Sequence, residues 1–303
     1  MKSHTSVKNP LNNEIYININ GALFKRNEAK ISVFDSGFLL GDGVWEGIRL
    51  HHSKLLFIDA HLDRLFNSAK GIDLKIHLTK NEIISEIFKV IHKNQMTDDV
   101  HIRLIVSRGD KITPYQNPNA NVGPINFVII PEYKKTDPKI YENGIIIGRV
   151  STIRPTENIL STHYNTLSKL NCILASIEAN ELKYDEGIMN DPYGNISTCN
   201  STNLFFIKKS QVWTSTGKFC LNGITRSKAI QVCHMNDIPC NETNFTFEDI
   251  KYCEEAFVTG TFAGIIPVSK IEKHELGSTN SNSLVNKIRS SYNQYINQYI
   301  SSQ

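Results

Sequence analysis

Eight residues, Pro131-Glu-Tyr-Lys-Lys-Thr-Asp-Pro138, constrain most strongly how this chain can fold. Charge and two prolines separate two strongly apolar runs, residues 125–130 and 144–150. Proline locks φ and offers no amide hydrogen, so neither a helix nor a central strand continues through the stretch. The break predicts a smaller unit over residues 1–131, a linker over 132–138 and a larger unit over 139–303. A chain of 303 residues can bury a substantial core.

Periodicity fills in both units as α+β. Residues 14–20 alternate apolar and polar before Gly21, the pattern of a strand and turn. Ile31-Ser-Val-Phe34 is a second β signal, residues 61–70 and 81–92 have helical spacing, and residues 100–106 and 125–130 read as strands. Beyond the linker, residues 144–150 are β-like, and a helix over 167–182 places Leu167, Leu170, Ile173, Leu174 and Ile177 on one face. Asp191-Pro-Tyr-Gly-Asn195 predicts a hairpin turn, residues 204–207 and 211–214 continue a sheet, and residues 225–234 begin a helix. A Ser/Asn-rich loop at 278–283 precedes a terminal amphipathic helix.

Composition narrows the class. The chain is 40% hydrophobic and 21% charged, with no apolar run long enough for a bilayer and no signal-peptide core, so a cytoplasmic protein is expected. Net charge is +3 without a basic block, which argues against nucleic acid. Lys134-Lys135 and Lys208-Lys209 read as solvated turns. The six cysteines form no C-x-x-C pair and are expected as free thiols, and no metal site is expected. Nucleophile-elbow, H-E-x-x-H and Walker patterns are absent.

Gly223-Ile224-Thr225-Arg226 leads from an irregular segment into a helix, and unpaired amides at a helix start bind phosphate, although such a glycine taken alone is more often a plain cap. Arg64, in a helical pattern, carries a planar fork suited to phosphate oxygens. These motifs, with residues 32–50, 61–70, 221–226 and 258–268, resemble the branched-chain aminotransferases of the fold type IV, or class IV, pyridoxal-phosphate family. The resemblance implies a two-domain α+β fold with a cofactor cleft between the domains, a homodimer, and an amino or keto acid substrate. It implies pyridoxal 5'-phosphate held by Arg64, Leu221, Gly223, Ile224, Thr225 and Thr261. On the substrate side it implies Leu40, His101, Arg103 and Phe262, with Leu40 and His101 standing where the family carries tyrosines.

The reaction centre departs from that pattern. Transamination needs an amine to link to the cofactor and move the α-proton, and a carboxylate facing the pyridine nitrogen. In the family's frame Asn165 stands at the lysine position, or Tyr164 if one extra residue precedes the helix, and Thr198 at the glutamate position; the resemblance implies that Asn165 and Thr198 line the cofactor site. Lys169 is either a solvated lysine or a relocated catalytic amine: a helix running from 165 would put positions 165 and 169 on one face, about 5–6 Å apart. Three functions therefore stay open: an atypical aminotransferase or eliminating enzyme using Lys169, a catalytically silent ligand-binding or regulatory relative, and a site reassigned to chemistry without the cofactor.

Overall fold

A computed structural model describes residues 3–303 and divides them into two compact units. The first comprises Val7–Lys135 and Tyr164–Lys169, and the second comprises residues 3–6, Thr136–His163 and Leu170–Gln303.

The first unit is built on an antiparallel sheet of β1 (Tyr16–Ile19), β2 (Ala22–Lys25), β3 (Gly43–His51), β4 (Lys54–Leu55), β5 (Val100–Ser107) and β6 (Asn126–Tyr133), in the order β2-β1-β6-β5-β3-β4. Alternation gives the sheet one dry face. Val44, Ile48 and Leu50 of β3 and Val100, Ile102, Leu104 and Val106 of β5 are buried, in one core with Leu62 and Leu65 of α2 (Ile58–Gly71) and Ile83 and Ile87 of α3 (Lys80–Lys93). A capping box, Thr79 with Glu82, starts α3. The short α1 (Ser36–Leu40) begins on the Asp35 carboxylate, which accepts from the Phe38 amide, and ends at Gly41 with φ +68°.

The second unit carries a mixed sheet. Its strands are β7 (Ile145–Arg149), β8 (Glu186–Asn190), β9 (Ile196–Cys199), β10 (Asn203–Lys208), β11 (Gln211–Thr214), β12 (Cys240–Glu242), β13 (Glu255–Gly260), β14 (Gly264–Ile271) and β15 (His274–Glu275). They run in the order β9-β8-β7-β14-β13-β10-β11-β12, with β15 pairing β14. Both faces of this sheet are covered. Leu204 and Phe206 enter one core, while Phe205 and Ile207, on the opposite face, pack with α6 (Ile224–Met235) and α8 (Leu284–Ser301). The hairpin around 191–195 forms between β8 and β9. Two shorter helices, α4 (Lys139–Asn143) and α7 (Phe247–Ile250), flank the sheet.

Several expectations need correction. The central strand does not stop at Pro131: β6 runs on to Tyr133 with Pro131 opposite Ile102 of β5, beyond the residues of β6 that pair with β1, where the missing proline amide interrupts no ladder. Residues 31–34 form no strand. The helix expected from 167, α5, runs Leu170–Glu181, because residues 165–167 are committed to the start of β3: Trp45 N–H donates to the Asn165 carbonyl at 3.0 Å and Leu167 N–H to that of Gly43 at 2.9 Å. Its apolar stripe does not face this unit's core: α5 buries only Ala175 and Ala179, whereas Leu170, Ile173, Leu174 and Ile177 are 67%, 51%, 49% and 49% exposed. Lys134 is half-buried rather than a solvated turn, and burial pushes its pKa down. All six cysteines are free, and among the described residues no helix is long and apolar enough to cross a membrane.

Candidate functional site

The second unit holds the phosphate-type cradle. Helix α6 starts at Gly223, whose backbone is extended and which gives no side-chain cap, so the first amides of the helix keep their donor character. Asn203, at the start of β10, fixes the approach to this end: its Nδ2 donates to the Leu221 carbonyl at 3.0 Å. A Cβ on residue 223 would lie 2.3 Å from the Asn203 Oδ1, which is why glycine sits there. Thr225 is buried and hydrogen-bonded to Tyr292 of α8, whose phenol is pushed up in pKa by burial. Arg226 does not serve the cradle. Its Nη2 donates to the Ser215 carbonyl at 2.6 Å and meets Glu242 at 2.8 Å, tying α6 to the residue after β11 and to β12.

Beside Asn203 in the β10–β13 register lies Thr259, whose buried hydroxyl has no hydrogen-bond partner among the described residues. An orphaned donor next to an uncapped helix start fits an anionic ligand. Thr261 and Phe262 form the turn after β13, and Phe262 stacks on His4 with ring centroids 6.3 Å apart.

Thr198 lies on β9, opposite Met189, with its Oγ1 donating to the Thr202 carbonyl at 2.7 Å. The nearest carboxylate in this network is Glu186 on the adjacent strand. It is buried and accepts from Ser3, from Ser201 at 2.9 Å and from Thr202 Oγ1 at 2.6 Å. Glu186 is thus occupied by hydroxyls, and Thr198 presents a neutral group.

The first unit gathers the other residues around α2 and Trp45. Arg64 is a bidentate partner of Glu46, with Nε–Oε1 and Nη2–Oε2 both 2.8 Å, and His61 Nδ1 lies 2.7 Å from the same carboxylate. Glu46 is fully buried. Burial would raise its carboxyl, yet the charge and hydrogen bonds of Arg64, then those of His61, hold it below the usual carboxylate range. The guanidinium is therefore fixed in direction before any ligand arrives. Ser68 follows Arg64 by one turn, on the same face of α2, and its Oγ accepts from the Asn165 amide at 3.0 Å. Asn165 is buried, its Nδ2 donates to the Trp45 carbonyl at 2.7 Å, and its Oδ1 has no partner among the described residues.

Two cations approach the Trp45 ring. The Arg103 guanidinium sits 3.8 Å from the indole centroid and the Lys169 ammonium 5.6 Å from it. Burial draws the pKa of Arg103 down, opposed by Glu132 and Glu46. Because α5 begins only at Leu170, the helical geometry expected between 165 and 169 does not exist, and the two residues share Trp45 instead. His101 pairs with Arg49 across the sheet, and Leu40, at the end of α1, is exposed. The sequence missed Trp45, Glu46, Ser68, Glu186 and Thr259. Glu46 was signalled only by an acidic residue at an apolar position of β3.

Pyridoxal phosphate, implied by the resemblance, fits these residues in part. In the second unit the start of α6 and Thr259 suit a phosphate ester, and Thr198 supplies no carboxylate; in the first unit Arg64 is a pre-set guanidinium, and Asn165 supplies no amine.

Comparison with known proteins bears on both halves. Residues 43–271 match the family model described as amino-transferase class IV. The chain is 34% identical over 287 residues to branched-chain-amino-acid aminotransferase-like protein 2 of Arabidopsis thaliana, covering 93% of this chain and 50% of that protein. It thus spans about half the length of that plant relative. It is 32% identical over 277 residues to a putative branched-chain-amino-acid aminotransferase of Methanocaldococcus jannaschii, covering 91% and 94% of the two chains. Among solved structures it is similar to the branched-chain amino acid aminotransferase of Escherichia coli, with a TM-score of 0.86, 26% identity and coverage of 93% and 95%.

Proposed function

Since the chain belongs to the class IV aminotransferases and has their fold type IV architecture, we propose that it binds pyridoxal phosphate by its phosphate and acts on an amino or keto acid with Lys169 as its amine. The observation that carries this reading is the uncapped start of α6 held by Asn203 beside the orphaned Thr259 hydroxyl. When bound, the cofactor supplies an aldehyde for amino groups and a ring that withdraws electrons from the α-carbon.

The chain's own residues have separate tasks. The Ile224 and Thr225 amides and the Thr261 hydroxyl hold phosphate oxygens, with Gly223 and Leu221 shaping the turn. In the first unit Arg64, aimed by Glu46, offers permanent positive charge to an anion. In the first unit Arg103, stacked on Trp45 and largely desolvated, suits a substrate carboxylate, and His101 and Leu40 are its proposed substrate-side neighbours; Phe262 is the second unit's substrate-side candidate. Lys169 Nζ receives and returns the substrate proton. Thr198 offers a hydroxyl where a carboxylate would keep the ring nitrogen protonated, which would disfavour transamination more than some eliminations. We also propose a homodimer, supported by the exposed apolar face of α5.

A second reading, a silent relative that holds the ligand without covalent linkage, is favoured by one observation: Asn165 and Thr198 are both tied to backbone carbonyls. Adding pyridoxal phosphate to the purified protein, recording visible absorption, reducing with borohydride and mapping modified lysines distinguishes the two. Label on Lys169 that is lost in Lys169→Ala is the expected result. Tight binding with no reducible link supports the silent reading, and no binding overturns both.

A further inference from the structure

In the first unit, where β3 turns into β4, two adjacent histidines and one aspartate converge. His51 Nδ1 lies 2.7 Å from Asp98 Oδ1 and His52 Nδ1 lies 3.4 Å from Asp98 Oδ2. One ligand atom from each of the three residues falls within 4.8 Å of the others. We propose that His51, His52 and Asp98 form a binding site for a borderline divalent transition-metal ion of the zinc class. The site is independent of the function proposed above.

Convergence of neighbours i and i+1 is not what a strand provides, because successive side chains point to opposite faces. Here the two-residue turn His52-Ser53 connects β3 to β4, with His51 opposite Lys54, and both turn residues have positive φ, +47° and +60°. Such a turn favours asparagine and glycine. Histidine at its first position places its imidazole beside that of His51, with ring centroids 4.2 Å apart and planes inclined by 36°.

The carboxylate is also pre-set. Asp98 Oδ1 accepts from the backbone N–H of His52 at 3.3 Å and of Asp99 at 2.8 Å, while Ser53 N–H donates to the Thr97 carbonyl at 2.7 Å. These bonds fasten the hairpin to the segment before β5. Two nearby cations are held by the next residue: Arg49 Nη2 and Lys135 Nζ lie 3.0 and 3.7 Å from the Asp99 carboxylate. The Asp98 Oδ2 is left facing an imidazole. Zinc bonds imidazole nitrogen and carboxylate oxygen at about 2.0–2.2 Å, so tetrahedral ligands stand roughly 3.3 Å apart. The His52 nitrogen stands 3.4 Å from Asp98 Oδ2, close to that value, whereas the His51 nitrogen lies 2.7 Å from Oδ1, so an ion enters when small side-chain rotations open that hydrogen bond. His52 is 64% exposed, leaving room for water as a further ligand. Two nitrogens and one oxygen select zinc, nickel or copper over magnesium or calcium.

Histidine spacing in the sequence did not reveal this site, because its third ligand is 46 positions from the nearer histidine. A bare histidine–aspartate hydrogen bond is the competing account. Titration of Zn²⁺ into the metal-free full chain by calorimetry, with Co²⁺ absorption in parallel, separates the two. We expect one equivalent bound, Co²⁺ bands without thiolate charge transfer, and affinity lowered about tenfold or more in both His52→Gln and Asp98→Asn. The exposed His52 makes the first variant safe for folding, and Zn²⁺ should raise the melting temperature of the wild type but not of this variant. No binding, equal affinity in the wild type and both variants, or a thiolate band from the cysteines of the other unit would overturn the proposal.

Discussion

Helices α5 and α6 have the same length and lie in the same unit, yet the protein uses them in opposite ways. Helix α6 buries Thr225, Arg226, Ala229, Ile230, Val232 and Cys233 and leaves its backbone start uncapped. Helix α5 buries only Ala175 and Ala179 and turns four large apolar side chains outward. A site made of backbone amides depends on a glycine and the loop before it, and most side chains nearby can drift. The residues leading into α5 present side chains instead: Asn165 bonds the Trp45 carbonyl and Lys169 lies over the Trp45 ring.

The largest expected effect falls on the backbone-built site. Gly223→Val places a Cβ where the Asn203 Oδ1 already sits 2.3 Å away, and Asn203 cannot turn aside without losing its bond to Leu221. The start of α6 must then shift. Affinity for pyridoxal phosphate, measured by equilibrium dialysis, should fall about tenfold or more, a loss of roughly 1.4 kcal/mol or greater. Unchanged affinity in a folded variant would mean that the ligand's phosphate lies elsewhere, and α6 would then be no more a binding element than α5.

The next effect concerns how α5 is seated. It packs close to β8: a Cβ on Gly187 would lie 3.2 Å from the Ala175 carbonyl, and Ala175 and Ala179 are the small residues that permit this approach. Ala175→Leu should therefore overpack the contact and cost about 1–3 kcal/mol, read from urea unfolding. If stability is unchanged, the alanine face is not the seat of the helix, and the contrast with α6 fails.

These two helices also show what was legible in advance. The start of α6 could be read because its signal is local, a glycine directly before a helical pattern. The apolar period of α5 was visible too, but periodicity says only that a face is apolar, not what covers it. The onset of α5 was misread because residues 165–167 are held by Gly43 and Trp45, more than a hundred positions away. Asn165 and Thr198 were found as departures from a family pattern, whereas their bonds to Trp45 and Thr202 needed coordinates. Glu46 and His61 orient Arg64 from residues whose pairing no spacing announces.

The smallest expected effect on the chain's own stability is at the outer face of α5, and it bears on the proposed dimer. Ile173 is half exposed, so Ile173→Glu removes little packing within the subunit and should change unfolding stability by no more than about 0.5 kcal/mol. In a dimer joined through this face, the same change buries an unpaired carboxylate between subunits, which is far more costly. Light scattering should therefore give a dimeric mass for the wild type and a monomeric mass for the variant. A monomeric wild type would remove the second copy as the occupant of this face. A variant that loses several kcal/mol would show Ile173 packed within the subunit itself, so that α5 would be seated on its large residues in the same manner as α6.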